Sequence, residues 1–253
     1  MIKKINATEL PLEEIQDQAA PPSESANPIE GPAGPVIPMP ERHKNPRGEI
    51  QFLTIIGQIE GHILSPPNTK TTKYEHVIPQ LVITAENPEI DGLLILLNTV
   101  GGDVEAGLAI AELISNLGKP TVSLVLGGGH SIGVPLAVSA QYSYIAPTAT
   151  MTIHPVRMNG TIVGAPQTYD YFNMMQDRIM DFVVHNSQID RERLKALMMD
   201  TEKLALDVGT ILTGAEAVKE KIINELGGLN DAMEKLYEFI AEKKSQNDGS
   251  NES

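Results

Sequence analysis

The chain has 253 residues, 41% of them hydrophobic, which is enough for one large domain that needs no disulfide or metal to hold its core together. It contains no cysteine, so disulfides, thiolate-bound zinc and a cysteine nucleophile are all excluded. Its 19 basic and 33 acidic residues give a formal charge of −14, which argues against nucleic acid as a partner.

Two sequence features indicate a soluble, cytoplasmic protein that does not insert into a membrane. The apolar stretches, such as residues 93–97, are far shorter than the roughly 18 to 20 residues that a membrane span requires. The first 14 residues acquire acidic side chains before any apolar segment develops, unlike a secretory signal peptide.

Both ends of the chain are poor in apolar side chains. Nine of the 18 prolines lie between Pro11 and Pro46, together with Ser, Glu, Gln and Asn. Such a segment cannot bury enough surface to offset the entropy of ordering it. We therefore expect a disordered, Pro-rich acidic arm over residues 1–46, a folded domain over 47–240 and a disordered polar tail over 241–253.

Within the domain, short apolar runs alternate with helical patterns, which is typical of an α/β fold with a largely parallel sheet. The predicted elements, in chain order, are a strand at 51–59, a helix at 74–84, strands at 93–98 and 121–127 separated by a helix at 103–117, a small-residue helix at about 131–140, a strand at 149–154 and a long helix at 168–187.

A G-x-S-x-G string, Gly129–Gly133, lies between a predicted strand and a predicted helix. Small neighbours allow a sharp turn that exposes the oxygen of Ser131, and the N–H groups of the following helix can hold an oxyanion. Alone, the pentapeptide is equally consistent with a glycine-rich turn in which a serine caps a helix.

A second glycine-rich turn, Asn98–Asp103, follows the preceding strand. Neighbouring parallel strands end at the same edge of a sheet, so the N–H groups of Gly102 and Ile132 could bind one carbonyl oxygen. A phosphate-binding loop is weakly supported, because neither G-x-x-x-x-G-K-[ST] nor G-x-G-x-x-G follows that strand.

A serine nucleophile needs a base, and His154 is the candidate because it ends a strand immediately before Pro155. His130 adjoins the serine so closely that we expect the two side chains to diverge. The remaining histidines lie in the N-terminal arm, around the Pro-rich loop or near the end of the long helix, at His43, His62, His76 and His185.

The carboxylate that would orient His154 is less well defined. Thr213–Glu216 forms a capping box, so Asp207 lies in the connection that leads into that helix and is the preferred acid. Asp200 is the second candidate, and either residue could instead be a solvated loop acid.

The order of four motifs, NTVGGDVEAG, GGGHSIG, MTIHP and LTGAEAV, resembles that of the Clp protease proteolytic subunit family over about residues 50–230. The resemblance implies the crotonase-like ββα superhelix with a protruding handle helix. It also implies Ser131 as nucleophile, His154 as base and the amides of Gly102 and Ile132 as the oxyanion hole. It further implies heptameric ring homo-oligomers, unfolded polypeptide substrates and, as an open question, an AAA+ unfoldase partner.

The sequence departs from the family pattern at several points. Thr99–Val100 replaces Ser-Pro, His130 replaces a small residue, and the loop at 64–73 and the N-terminal arm differ from the family's unfoldase-docking features. Within the family the chain is most similar to the translocation-enhancing branch, which is implicated in the export of secretory preproteins.

Three functions follow as hypotheses. The first is a serine endopeptidase with no metal or organic cofactor. The second is a catalytically weak ring scaffold that binds preproteins, favoured by the atypical serine turn and the methionine-rich long helix. The third, an acyl-CoA enzyme on the same fold, is disfavoured because no basic site for the CoA phosphates is evident.

Overall fold

The computed structural model describes residues 45–157, 164–201 and 208–251. The strands within those ranges are β1 (Ile50–Glu60), β2 (Thr71–Lys73), β3 (Gly92–Gly102), β4 (Thr121–Gly129), β5 (Tyr142–Ile145), β6 (Thr150–Ile153), β7 (Thr210–Thr213) and β8 (Glu225–Leu226). The helices are α1 (Tyr74–Glu86), α2 (Val104–Ser115), α3 (Gly133–Val138), α4 (Ala165–His185), α5 (Arg191–Met198), α6 (Gly214–Lys219) and α7 (Leu229–Asn251).

The main sheet is parallel and has the order β2-β1-β3-β4-β5-β8. Strand β4 also pairs at its end, through Gly128 and Thr150, with β6, which runs antiparallel to β7. Because β4 contacts both β3 and β6, the turn that follows it lies between the ends of two other strands.

Strand β3 forms the centre of the core. Leu93, Ile95 and Leu97 belong to a large apolar cluster shared with α2, while Leu94 belongs to a smaller cluster shared with α7. All four leucine and isoleucine side chains are at most 1% exposed, so the strand is buried on both faces, as its continuous apolar run predicts.

The α/β fold class is confirmed, and the seven predicted strands and helices up to residue 154 all occur within a few residues of their expected bounds. The long helix, which the resemblance predicts as a protruding handle, begins at Ala165 with Pro166 in its first turn and ends at His185. None of the helices in the described part of the chain is long and apolar enough to cross a membrane.

The described part of the chain differs from the expected boundaries at both ends. Asn45 donates a hydrogen bond of 2.6 Å to the hydroxyl of Tyr237, and the guanidinium of Arg47 lies 3.8 Å from the centre of the same ring. The remainder of the expected N-terminal arm, residues 1–44, lies outside the described residues. At the other end, the expected disordered tail is helical through Asn251, and Lys244 forms an ion pair of 2.9 Å with Asp91.

Candidate active site

The two glycine-rich turns lie side by side at the ends of β3 and β4. The N–H of His130 donates to the carbonyl of Thr99 at 3.2 Å, and the N–H of Gly128 donates to Asn98 Oδ1 at 3.0 Å. These bonds join the two turns directly, so the turns form one surface at the carboxyl edge of the sheet.

Ser131 has a left-handed backbone, with φ of +57°. A non-glycine residue in this conformation costs about 1 to 3 kcal/mol and persists only where its surroundings hold it. Here the N–H of Ser131 donates to the carbonyl of Thr152 at 2.9 Å. Gly101 leaves room for the turn, because a Cβ atom at that position would lie 2.6 Å from the Cβ of Ser131.

The N–H of Ile132 is an available donor beside Ser131. The N–H groups of its neighbours Gly133 and Val134 bond to the carbonyls of His130 and Ser131 at 2.8 and 3.0 Å. The N–H of Ile132 has no such acceptor among the described residues. Its side chain is only 2% exposed, so the direction of this donor is fixed by core packing.

The imidazole of His154 is oriented by its own neighbour. Its Nδ1 lies 2.7 Å from the carbonyl oxygen of Pro155. Because a carbonyl oxygen only accepts hydrogen bonds, Nδ1 carries the proton and Nε2 of the neutral ring keeps its lone pair. Nε2 is therefore the basic atom of His154.

Of the two candidate acids, Asp207 lies outside the described residues. The carbonyl of Asp200 accepts a hydrogen bond of 2.7 Å from the N–H of Gly209. Gly209 packs against His154 so closely that a Cβ atom there would lie 2.8 Å from the Cβ of the histidine. Thus Gly209 lies next to the His154 backbone, whereas the carboxylate of Asp200 lies 3.5 Å from the hydroxyl of Thr210.

The Nδ1 atom of His130 lies 2.8 Å from the hydroxyl oxygen of Thr152. Burial, and then the charge of nearby His154, lower the pKa of His130. This partner could not be predicted from the sequence, since Thr152 lies on β6 and is separated from His130 by 21 intervening residues.

Ser131, Ile132, Gly102 and His154 line one cavity of about 200 Å³. Its remaining wall is mainly apolar and includes Ile179 and Val183 of α4 and Leu194 and Met198 of α5. The cavity therefore places the hydroxyl of Ser131, the imidazole of His154 and the backbone N–H of Ile132 beside a space suited to an apolar side chain. His62, His76 and His185 are not among the residues that line it.

Sequence reasoning missed the contribution of α5 to this wall. The signal was present, because Asp190 caps the helix and Leu194, Leu197 and Met198 recur at helical spacing on its buried face.

No three histidine or carboxylate side chains converge as a metal site within the part of the chain that the structure describes.

Comparison with known proteins gives one consistent result. The family model for Clp protease matches residues 46–229. The translocation-enhancing protein TepA of Halalkalibacterium halodurans is 56% identical over 198 residues, covering 78% of this chain and 77% of that protein. The ATP-dependent Clp protease proteolytic subunit of Leuconostoc citreum is 25% identical over 134 residues, covering 50% of this chain and 65% of that subunit.

A solved structure of a ClpP1 mutant from Listeria monocytogenes has the same fold. It superimposes with a TM-score of 0.56 at 20% identity, covering 72% of this chain and 93% of that one. The fold agrees with the family match, which spans well over half of the sequence. The chain belongs to the Clp protease family.

Proposed function

We propose that the chain is a serine endopeptidase that cleaves unfolded polypeptides. The observation that carries this proposal is one cavity lined by the strained, half-buried Ser131 and by His154, whose Nδ1 is bonded so that Nε2 keeps its lone pair. Ile132 lines the same cavity, and its backbone N–H has no acceptor among the described residues. A hydroxyl, a base and an oxyanion donor are the elements that acyl transfer requires.

In the proposed reaction, Ser131 Oγ forms a bond to the carbonyl carbon of the substrate while its proton passes to Nε2 of His154. The N–H groups of Ile132 and Gly102 bind the oxyanion. The intermediate then breaks its C–N bond, and His154 donates the proton to the leaving amine. A water molecule repeats the sequence on the acyl-enzyme and restores Ser131.

The third member of the triad would be Asp207 or Asp200. Its carboxylate would stabilise the imidazolium that forms during the reaction, a state in which the Pro155 carbonyl supplies only a partial negative charge. Asp207 is preferred from its place in the sequence. The position of Asp200, bonded to the glycine that packs on His154, supports the alternative.

We further propose that the protein works as a cytoplasmic homo-oligomer of heptameric rings, with α4 as the handle between rings. Exposed apolar side chains on α4, among them Tyr171 at 47% and Met174 at 51%, support an interface there. The name of the 56% identical relative supports secretory preproteins as substrates. The more distant relatives are named as ATP-dependent, which supports an ATP-driven unfoldase as a further partner.

One observation favours a second function, a ring scaffold that binds preproteins without cleaving them. The acceptor at His154 Nδ1 in the described residues is a carbonyl oxygen, whereas a fully active triad places a carboxylate there. A scaffold would bind an extended polypeptide equally well whether or not position 131 is serine.

Turnover of a fluorogenic peptide and of an unfolded protein tests the proposal. We expect Ser131→Ala and His154→Ala to lower kcat by at least about 10³-fold, because residues of a triad act as a unit. Of Asp207→Asn and Asp200→Asn, the variant of the true acid should lower kcat by roughly 10²- to 10⁴-fold. Glu75→Gln, an exposed change in the first turn of α1, is the matched control.

Loss of turnover in Asp200→Asn alone would exclude Asp207 as the acid. If the intact assembly hydrolyses neither substrate, and Ser131→Ala binds a preprotein as tightly as the unchanged protein does, the scaffold function replaces the peptidase.

A further inference from the structure

The serine turn is attached to the strand that leads to His154 at two points. The N–H of Ser131 donates to the carbonyl of Thr152 at 2.9 Å. The side chain of the same threonine shares a hydrogen bond of 2.8 Å with Nδ1 of His130. Thr152 precedes His154 by two residues, so both bonds fix the turn directly against the segment that carries the base.

The imidazole of His130 is also confined on its other side. A Cβ atom at Gly128 would lie 2.7 Å from Nε2 of this ring, so the ring lies directly over the glycine. The ring is half-buried, and burial is the main reason that the pKa of His130 is lowered. A neutral ring confined in this way keeps its hydrogen bond to Thr152.

We propose that His130 and Thr152 form a positioning pair that holds the Ser131 hydroxyl in line with His154. The inference rests on the proposed peptidase function, because the alignment matters only if Ser131 is the nucleophile. Backbone bonds to Thr99 and Thr152 hold the main chain of the turn, and the side-chain bond adds a second link between the turn and the strand that leads to His154. Misplacement of a reacting group by about 1 Å can cost about 10²-fold in rate.

Conservative pairs of substitutions separate positioning from general stability. Thr152→Val keeps the shape of the side chain and removes the hydroxyl, whereas Thr152→Ser keeps the hydroxyl. His130→Phe keeps a ring without a hydrogen-bonding atom, whereas His130→Asn keeps a nitrogen or oxygen near the position of Nδ1. Neither residue touches the substrate in the proposed reaction.

We expect Thr152→Val and His130→Phe each to lower kcat by about 10-fold with KM changed less than about 2-fold, since the loss lies in alignment rather than in substrate binding. Thr152→Ser and His130→Asn should stay within about 3-fold of the unchanged protein. The double variant Thr152→Val/His130→Phe should lose no more than either single variant, because both remove the same bond. If the two losses of kcat multiply in the double variant, the residues act independently, and the proposed pair would be overturned.

Amide hydrogen exchange at Ser131 provides a measurement that does not depend on activity. We expect exchange of the Ser131 amide to be faster in Thr152→Val and His130→Phe than in Thr152→Ser, with far-UV circular dichroism unchanged. Equal protection in all of these variants would overturn the positioning role. If the unchanged protein hydrolyses no peptide, the peptidase function fails, and the exchange data alone decide whether the pair holds the turn.

Discussion

At the scale of single residues, the conformation of Ser131 depends on its neighbour across the sheet edge. Ser131 and Gly101 both have positive φ, +57° and +90°. The carbonyl of His130 and the Cβ of Ser131 occupy the space where a side chain at position 101 would lie, at 2.8 and 2.6 Å from its Cβ. The glycine is therefore required both for its backbone conformation and for the room that it leaves.

Gly101→Ala tests this dependence. The added methyl group has to displace the serine turn or Gly101 itself, so we expect kcat for peptide hydrolysis to fall by at least about 10²-fold. The control is Gly118→Ala, which also has positive φ but no atom within 4 Å of the added carbon. A Gly101→Ala enzyme with unchanged kcat would contradict the close contact with Ser131.

The residue types of the site could be predicted from the sequence, but several of their interactions could not. The serine, the histidine and the two glycine turns follow from local patterns at strand ends. The bond between His130 and Thr152 depends on how β6 approaches β4, and that approach involves a single bridge between Gly128 and Thr150. The acid could not be chosen from the sequence because the connection between Asp200 and Thr213 has no periodic pattern that fixes its path.

At the scale of elements, the handle helix α4 is tied to α2 by an ion pair. The guanidinium of Arg178 donates to both carboxylate oxygens of Glu105, at 2.6 and 3.0 Å. The hydrogen bonds from Arg178 are the main reason that the pKa of Glu105 is lowered. Burial opposes this shift, and the charge of His62 makes a smaller contribution to it. Folding therefore favours the ionised form of Glu105.

The ion pair makes stability depend on pH. Because the pKa of Glu105 is lower in the folded chain, its contribution is fully present above the ordinary value of 4.5 and is lost as the pH falls through the lowered value. We expect Glu105→Gln to reduce the free energy of unfolding at pH 7 by no more than about 1 kcal/mol, since both side chains are nearly half exposed.

Urea denaturation of dilute protein at pH 7 and at successively lower pH checks this expectation. The difference in the free energy of unfolding between Glu105→Gln and the unchanged protein should shrink below about pH 4.5 and then vanish. Exposed Glu75→Gln, which removes one acidic group without an ion pair to Arg178, is the control. A difference that stays constant or grows on acidification would contradict the coupling of α2 to α4.

Long, strongly patterned elements could be predicted from the sequence, whereas short ones depended on tertiary contacts. The apolar run of β3 and the helical spacing of α2 suffice to locate them. Strands β7 and β8 have four and two residues, too few for a periodic pattern, and they exist because β6 and β5 offer edges to pair with. The helical tail of α7 is polar in sequence but is held by Lys244 against Asp91.

At the scale of the whole molecule, the exposed side chains of α4 support the proposed assembly of several copies of the chain. Tyr171 and Met174 lie one turn apart on this helix and are 47% and 51% exposed. Large apolar groups at neighbouring positions are commonly buried by association.

We therefore expect Tyr171→Glu/Met174→Glu to dissociate the assembly into smaller species, because two charges would have to be buried in the interface. Light scattering coupled to size-exclusion chromatography measures the mass, with exposed Asp170→Asn on the same helix as the control. A double variant with the mass of the unchanged protein, or an unchanged protein that is monomeric, would contradict the role of α4 in assembly.

The central claim is that Ser131 is an activated nucleophile, and a fluorophosphonate probe followed by intact-mass analysis and peptide mapping tests it most directly. We expect one adduct per chain on Ser131, no adduct in Ser131→Ala, and at least about a 10²-fold slower reaction in His154→Ala, because the histidine accepts the serine proton. An assembled protein that remains unlabelled, or is labelled equally fast without His154, would contradict the account.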